Sequence, residues 1–392
     1  MENNIIENSK NNEEKKEDEK KLDEDEIKLL ETIKYYFNGP NKDENGTIQD
    51  ISYELWVEKN QNIKKLCEPY EVEYKDEQNL KDTNKIIIPK KNNKSKNPFG
   101  VLENHDFACE LKLLKWITED DNHKNKFIKI ENINKFNRYN DILPYEYNSV
   151  PLDKNNSDKS DINNYINGSY ISSPFDSKAK LFIATQTPLE NTISSFWKMI
   201  YTHKINLIIM LSDLSKEGKY NIYWPNNKGE IVKYNEGSLS LNIELIQKEE
   251  IAPQFAILRK FKVNDDLEVK QIQIISWPER GTPKGEDYLV NMVFEKMIKH
   301  FNDHAKENIP VVVHCYDGVG RTGTLISIFL INMCLEKLKI FQKEPIMCVF
   351  NVIRKLREQR YSFVTDIEQY KFIYYFTLYW IKKNYLYSKL LL

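Results

Sequence analysis

The chain has 392 residues, with 57 lysines and arginines against 59 aspartates and glutamates, a formal net charge of −2 and 40% hydrophobic residues. The near-neutral balance excludes the basic surface that nonspecific nucleic-acid binding needs, and the hydrophobic fraction allows a sizeable core. Five scattered cysteines (Cys67, Cys109, Cys315, Cys334 and Cys348) show neither CxxC pairing nor metal-ligand spacing, which suits reduced thiols in a cytoplasmic protein.

Residues 1–22 are Asn, Glu, Lys and Asp with almost no apolar content, so a disordered charged tail is expected, and no secretory apolar run is present. From Glu24 to Phe37 apolar residues recur at helical spacing (Ile27, Leu29, Leu30, Ile33, Tyr36), until Asn38-Gly39-Pro40 stops the helix. A strand-like run at Ile86–Ile88 and a Lys/Asn-rich linker at Lys90–Asn97 complete a partly helical extension, 23–97, to which the sequence assigns no role. After Pro98 the apolar and aromatic density rises. Strand-like runs occur at Lys180–Ala184, Leu207–Leu211, Gln271–Ser276 and Pro310–His314, and helical patterns at Thr192–His203, Glu286–Asn302, Gly323–Leu338 and Ile346–Gln359. The apolar stretches Thr324–Leu335 and Phe372–Ile381 are too short to span a bilayer; they predict core helices and no membrane insertion. Strands mixed with helices indicate an α/β domain over 98–385, with a twisted mixed sheet flanked by helices, and a short tail at 386–392.

The strongest signal is Val311-Val312-Val313-His314-Cys315-Tyr316-Asp317-Gly318-Val319-Gly320-Arg321-Thr322-Gly323. An apolar run without alternation predicts a strand buried on both faces. It feeds a loop with three glycines and then an apolar helix. Converging backbone N–H groups and a helix start make an anion site, in which a cysteine thiolate is stabilised. Arg321, six residues on, can fork two N–H donors onto phosphate oxygens. Thiolate, arginine and amide cradle together are the equipment for phosphoryl transfer through a phosphocysteine. Gly318-x4-Gly323 is not a nucleotide-binding loop, because Thr324 follows where a lysine is required.

These residues resemble the classical cysteine-dependent protein tyrosine phosphatases, whose signature reads His-Cys-x5-Arg-[Ser/Thr]-Gly. Further stretches follow in family order: Asn137-Arg138-Tyr139-Asn140-Asp141; Tyr165-Ile166-Asn167-Gly168-Ser169-Tyr170; Ile183-Ala184-Thr185-Gln186-Thr187-Pro188-Leu189; Phe196-Trp197; Tyr223-Trp224-Pro225; Trp277-Pro278-Glu279; and Gln369-Tyr370. The resemblance runs from Pro98 to Tyr385 and implies phosphotyrosine-containing proteins as partners, with no metal and no cofactor. It implies Cys315 as nucleophile and Arg321 as phosphate clamp, with His314 and Thr322 tuning the sulfur. The loop residues Tyr316, Asp317, Gly318, Val319 and Gly320 would surround the phosphate. Tyr139 would wall a slot deep enough to favour phosphotyrosine, and Asp141 would hold the substrate backbone. Glu279 stands at the general-acid position, Lys219 would reach towards that loop, and Gln369 would place the hydrolytic water. Trp197 and Trp224 are expected in the core.

Three departures fall on the chemistry. Glu279 replaces an aspartate, and one methylene moves the proton donor by roughly 1 Å, a displacement that can cost about 100-fold. Tyr316-Asp317 replaces a small pair. A carboxylate about 6 Å from a phosphate dianion costs roughly 1–3 kcal/mol at an effective dielectric of about 40–80 and raises the thiol pKa, unless its side chain turns away. Thr365 stands where the family usually has a glutamine. An active but slow phosphatase and a pseudophosphatase that only binds phosphotyrosine both follow. A phosphoinositide or dual-specificity enzyme fits less well, because the cradle has no lysine and Tyr139 is present.

Overall fold

The structure, a computed structural model, describes residues 86–87, 107–119, 121–173, 178–212, 222–285, 287–307, 309–340, 346–347, 349–381 and 383–384. The expected tail at 1–22, the helix at Glu24–Phe37 and Lys219 lie outside these residues.

The strands in chain order are β1 (Ile86–Ile87), β2 (Gly168–Ser172), β3 (Lys180–Gln186), β4 (Leu207–Met210), β5 (Ile231–Glu236), β6 (Leu239–Ala252), β7 (Ala256–Val263), β8 (Leu267–Ile274), β9 (Val311–Cys315) and β10 (Ile346–Met347). The α-helices are α1 (Phe107–Thr118), α2 (Asp121–Lys124), α3 (Ile193–Thr202), α4 (Asp287–Glu307), α5 (Gly320–Ile340), α6 (Val349–Arg357) and α7 (Ile367–Ile381). Eight strands form one mixed sheet in the order β2-β3-β9-β4-β8-β7-β6-β5. Its centre, β3-β9-β4-β8, is parallel, and the remaining neighbours pair antiparallel.

β9 shows why the valine run does not alternate. Val311 and Val313 pack into one core with α4, α5, α6 and α7, whereas Val312 points into a second core with α3 on the opposite face. The first core is tied to the sheet by stacked rings: Phe182 of β3 lies 4.6 Å from Phe301 of α4, which lies 5.2 Å from Phe329 of α5. The helices on both faces leave the carboxyl ends of the parallel strands open, the position at which open α/β sheets carry their sites. Trp197 and Trp224 are both buried.

One expectation is corrected, and one element is new. The helical pattern from Ile346 becomes a helix only at Val349, because Ile346 and Met347 pair antiparallel with Ile87 and Ile86. The meander β5-β6-β7 was not expected; β5 and the polar stretch of β6 leave many side chains exposed, so no continuous apolar run marks them.

Candidate active site

Cys315 ends β9, level with Gln186 of β3, and is 1% exposed. The loop then turns through Gly318 at φ +69°, where a Cβ would lie 2.2 Å from the carbonyl oxygen of Thr185. Only glycine fits there, on both conformation and space. Helix α5 starts at Gly320, earlier than Gly323, so Arg321 and Thr322 belong to its first turn and its amides face the sulfur end of the loop.

The Asp317 side chain turns inward. Its Oδ1 accepts from the backbone N–H of Val319 at 2.9 Å and, more weakly, of Gly320 at 3.4 Å, and the Cys315 thiol donates to the same oxygen at 3.2 Å. The physical cause is the cradle itself: unpaired amides and the positive end of α5 attract whichever anion is near. Burial and then the Asp317 carboxylate push the Cys315 thiol up, while Arg321 and the hydroxyl and amide of Thr322 oppose them. The lowered thiol pKa that an unobstructed cradle predicts is therefore reversed here. The Thr322 hydroxyl is buried and makes no well-formed hydrogen bond among the described residues.

Arg321 is 1% exposed, and its Nη1 donates to the carbonyl of Trp277 at 2.9 Å. Gln369 is fully buried and its Nε2 donates to the carbonyl of Glu279 at 3.4 Å, so two cradle-side residues hold the Trp277-Pro278-Glu279 segment from below. The Trp277 indole closes that segment on itself by donating to Gly281 O at 2.9 Å. A Cβ on Gly320 would come within 3.0 Å of both Gln369 Oε1 and Thr365 Oγ1, which places these side chains over the start of α5. Gln369 Oε1 is buried without a hydrogen-bond partner among the described residues.

At the rim, Tyr139 is 40% exposed and meets Tyr316 edge-on, with ring centroids 6.1 Å apart. The Arg138 guanidinium lies 4.0 Å over the Tyr316 ring. Burial raises the Tyr139 phenol, followed by Tyr316, Glu279 and Asp317, so both carboxylates stand within electrostatic reach of it. Asp141 and Glu279 are exposed.

His314 lies beneath the loop, fully buried, between Tyr223 OH at 2.7 Å from Nε2 and Thr187 Oγ1 at 3.2 Å from Nδ1. Burial lowers its pKa to about 3, so the ring is neutral. Arg360 is a further residue of the site. Its Nε donates to Gly318 O at 2.8 Å and its Nη2 to Asp317 O at 3.3 Å and Asn167 Oδ1 at 2.8 Å, and Nη1 reaches Ser169 Oγ at 3.1 Å. It is a buried cation that holds the back of the cradle. No local pattern marks it among the other arginines of Arg354–Arg360. The site thus brings together Cys315, Arg321, Thr322, Gln369 and the Glu279 segment, with Tyr139 and Tyr316 at its mouth, in an arrangement that can bind a phosphoryl group, attack it and protonate a leaving oxygen.

Residues 133–379 match the family model described as protein-tyrosine phosphatase. Rat tyrosine-protein phosphatase non-receptor type 20 is 32% identical over 274 residues, which are 69% of this chain and 60% of that protein. Human receptor-type tyrosine-protein phosphatase eta is 32% identical over 239 residues, 60% of this chain and 17% of that protein. The chain thus spans less than two thirds of the length of these relatives. The crystal structure of the catalytic domain of human protein tyrosine phosphatase non-receptor type 18 aligns with a TM-score of 0.56 at 27% identity, covering 70% of this chain and 95% of that one. The same protein in complex with HER2 phospho-peptides gives 0.58 at 25% identity, covering 71% and 94%.

Proposed function

The chain belongs to the protein-tyrosine phosphatase family, and we propose that it hydrolyses phosphotyrosine in proteins through a phosphocysteine intermediate, with turnover slowed by Asp317. The observation that carries this reading is the convergence of Cys315, Arg321 and Gln369 around the start of α5, beneath a segment bearing Glu279. The substrate phosphate displaces the Asp317 carboxylate from the amides of Val319 and Gly320, and Arg321 clamps two of its oxygens. The Cys315 thiol gives its proton to the departing Asp317 carboxylate, the thiolate attacks phosphorus, the P–O bond to the tyrosine breaks, and Glu279 gives its proton to the leaving phenolate oxygen. Gln369 Oε1 then orients a water that attacks phosphorus. Glu279 takes that water's proton, sulfur leaves as thiolate with help from Thr322, and Asp317 returns the thiol proton as phosphate departs. Tyr139 and Tyr316 receive the phenyl ring, and Asp141 accepts from the peptide backbone.

Partners of this kind are supported by the complex of the type 18 relative with phospho-peptides. No helix among the described residues is long and apolar enough to cross a membrane, and the cysteine usage supports a cytoplasmic location.

A second reading, a phosphotyrosine-binding pseudophosphatase, is favoured by the same Asp317 contacts, since a carboxylate in the cradle opposes a dianion. The test is phosphate release from phosphotyrosine peptides by the wild type, Cys315→Ser and Asp317→Ala. Release that Cys315→Ser abolishes and Asp317→Ala raises supports the enzyme. No release from the wild type, with peptide binding retained, supports the binder.

A further inference from the structure

Behind the cradle lies a series of buried side chains whose hydrogen bonds all run one way. Arg259 is 6% exposed and stacks over Trp224, its guanidinium 4.7 Å from the ring. Its Nη1 donates to Gln271 Oε1 at 3.0 Å and to Gln273 Oε1 at 2.8 Å. A guanidinium has donors only, so the amide oxygen of Gln271 must face it. The amide nitrogen is thereby turned to Tyr223, and Gln271 Nε2 donates to Tyr223 OH at 2.8 Å. The single phenolic hydrogen is left for His314 Nε2, 2.7 Å away. A neutral imidazole that accepts at Nε2 carries its proton on Nδ1. That N–H faces Thr187 Oγ1 at 3.2 Å, and the Thr187 hydroxyl donates to the Cys315 carbonyl at 2.9 Å.

We propose that Arg259 and Gln271 are positioning residues for the nucleophile: they fix the Nδ1–H tautomer of His314 and, through Thr187, the orientation of the Cys315 peptide. The Thr187 amide donates to the same carbonyl at 2.8 Å, so the Cys315 oxygen is held away from the anion cradle by two donors from β3's end. Arg259, Gln271, Tyr223, His314 and Thr187 lie behind the loop and act through the Cys315 backbone. The consequence for catalysis rests on the phosphatase reading, whereas the tautomer does not.

Gln271→Glu tests the proposal with almost no change of shape. A carboxylate still pairs with Arg259 but cannot donate to Tyr223. The phenol then donates to the carboxylate, His314 must place its proton on Nε2, and Thr187 turns its hydroxyl from Cys315 O to Nδ1. Nitrogen-15 NMR of the full chain reads the tautomer without any turnover. The expected result is Nδ1–H in the wild type and Nε2–H in Gln271→Glu. Alongside it, iodoacetamide labelling of Cys315 at pH 8 slows by roughly fivefold and kcat/KM falls by roughly tenfold, as the loop amides lose their aim at the sulfur. Tyr223→Phe, which only deletes the donor to Nε2, gives an intermediate labelling rate. An Nε2–H tautomer in the wild type overturns the proposal. So does an Nδ1–H tautomer in Gln271→Glu, or a switched tautomer with labelling unchanged. Labelling that slows while phosphate release is absent from every form retains the positioning role and removes the phosphatase reading instead.

Discussion

The Cys315 thiol donates to Asp317 Oδ1 across 3.2 Å, and the same oxygen accepts from the amide of Val319. A carboxylate thus sits on the donors that would hold a phosphate oxygen. It also keeps the sulfur protonated, since burial and Asp317 both push the thiol up. Asp317→Ala removes the second of these causes, so the pH at which Cys315 is half-alkylated moves down. Removing roughly 1–3 kcal/mol of anion repulsion raises kcat/KM by about 5- to 150-fold. Labelling rates measured between pH 6 and 10 check the first, and peptide turnover the second. An unchanged labelling midpoint means that the Asp317 contact has no bearing on the sulfur.

Gly318 and Gly229 both have positive φ, +69° and +80°, but a Cβ on Gly229 meets nothing within 4 Å whereas one on Gly318 strikes the Thr185 carbonyl. Gly229→Ala carries only the left-handed backbone penalty, about 1 kcal/mol. Gly318→Ala must displace either β3 or the loop, so activity falls by more than about 100-fold, because misplacement of reacting groups by about 1 Å is enough for that. Comparing the two variants in thermal melts and turnover separates strain from collision. Equal effects would show that space at Gly318 is not the constraint.

Arg360 satisfies the carbonyls of Gly318 and Asp317 and the side chains of Asn167 and Ser169. Arg360→Met strands those acceptors in the interior, and the loss is about 3 kcal/mol, or roughly 10 °C in Tm. Arg360→Lys recovers little of it, since one ammonium cannot cover sites spread around a planar fork. Calorimetry of the two variants decides. A lysine variant as stable as the wild type would mean that charge alone, and not the fork, holds the loop.

His203 donates or accepts at both ring nitrogens, to Tyr170 OH at 2.9 Å and Pro151 O at 2.7 Å, and burial lowers its pKa to about 4. The unfolded chain binds a proton here near pH 6.5 and the folded one only near 4, so stability is present above 6.5 and is lost as the pH falls towards 4. At pH 5 the loss from this group is about 2 kcal/mol. His203→Gln keeps a donor and an acceptor but does not titrate, so its urea midpoint falls less between pH 7 and pH 5. Parallel losses in the two proteins would assign the acid sensitivity elsewhere, His314 included.

What could be read beforehand and what could not follows the range of the interactions. Val311–Cys315 announced its strand because five consecutive buried positions need a side chain that is apolar whichever face it meets, and the cysteine, glycines and Arg321 that follow are contiguous. Arg360, by contrast, reaches residues 42 and 193 positions away, and nothing local distinguishes it from Arg354 or Arg357. The direction of the Asp317 side chain was open in the sequence because both outcomes satisfy a carboxylate; the unpaired amides decided it. The meander β5-β7 was hidden by its half-wet faces, and the start of α6 was shifted by a pairing with β1 from the far end of the chain.

The sulfur's protonated state has a bearing on oxidants. Hydrogen peroxide attacks the anion of a cysteine, at a rate set by how much of it exists and how openly it is presented. A thiol 1% exposed and leaning on its own carboxylate offers little of either. A burst of peroxide strong enough to turn exposed, acidic thiols into sulfenic acids would leave Cys315 reduced.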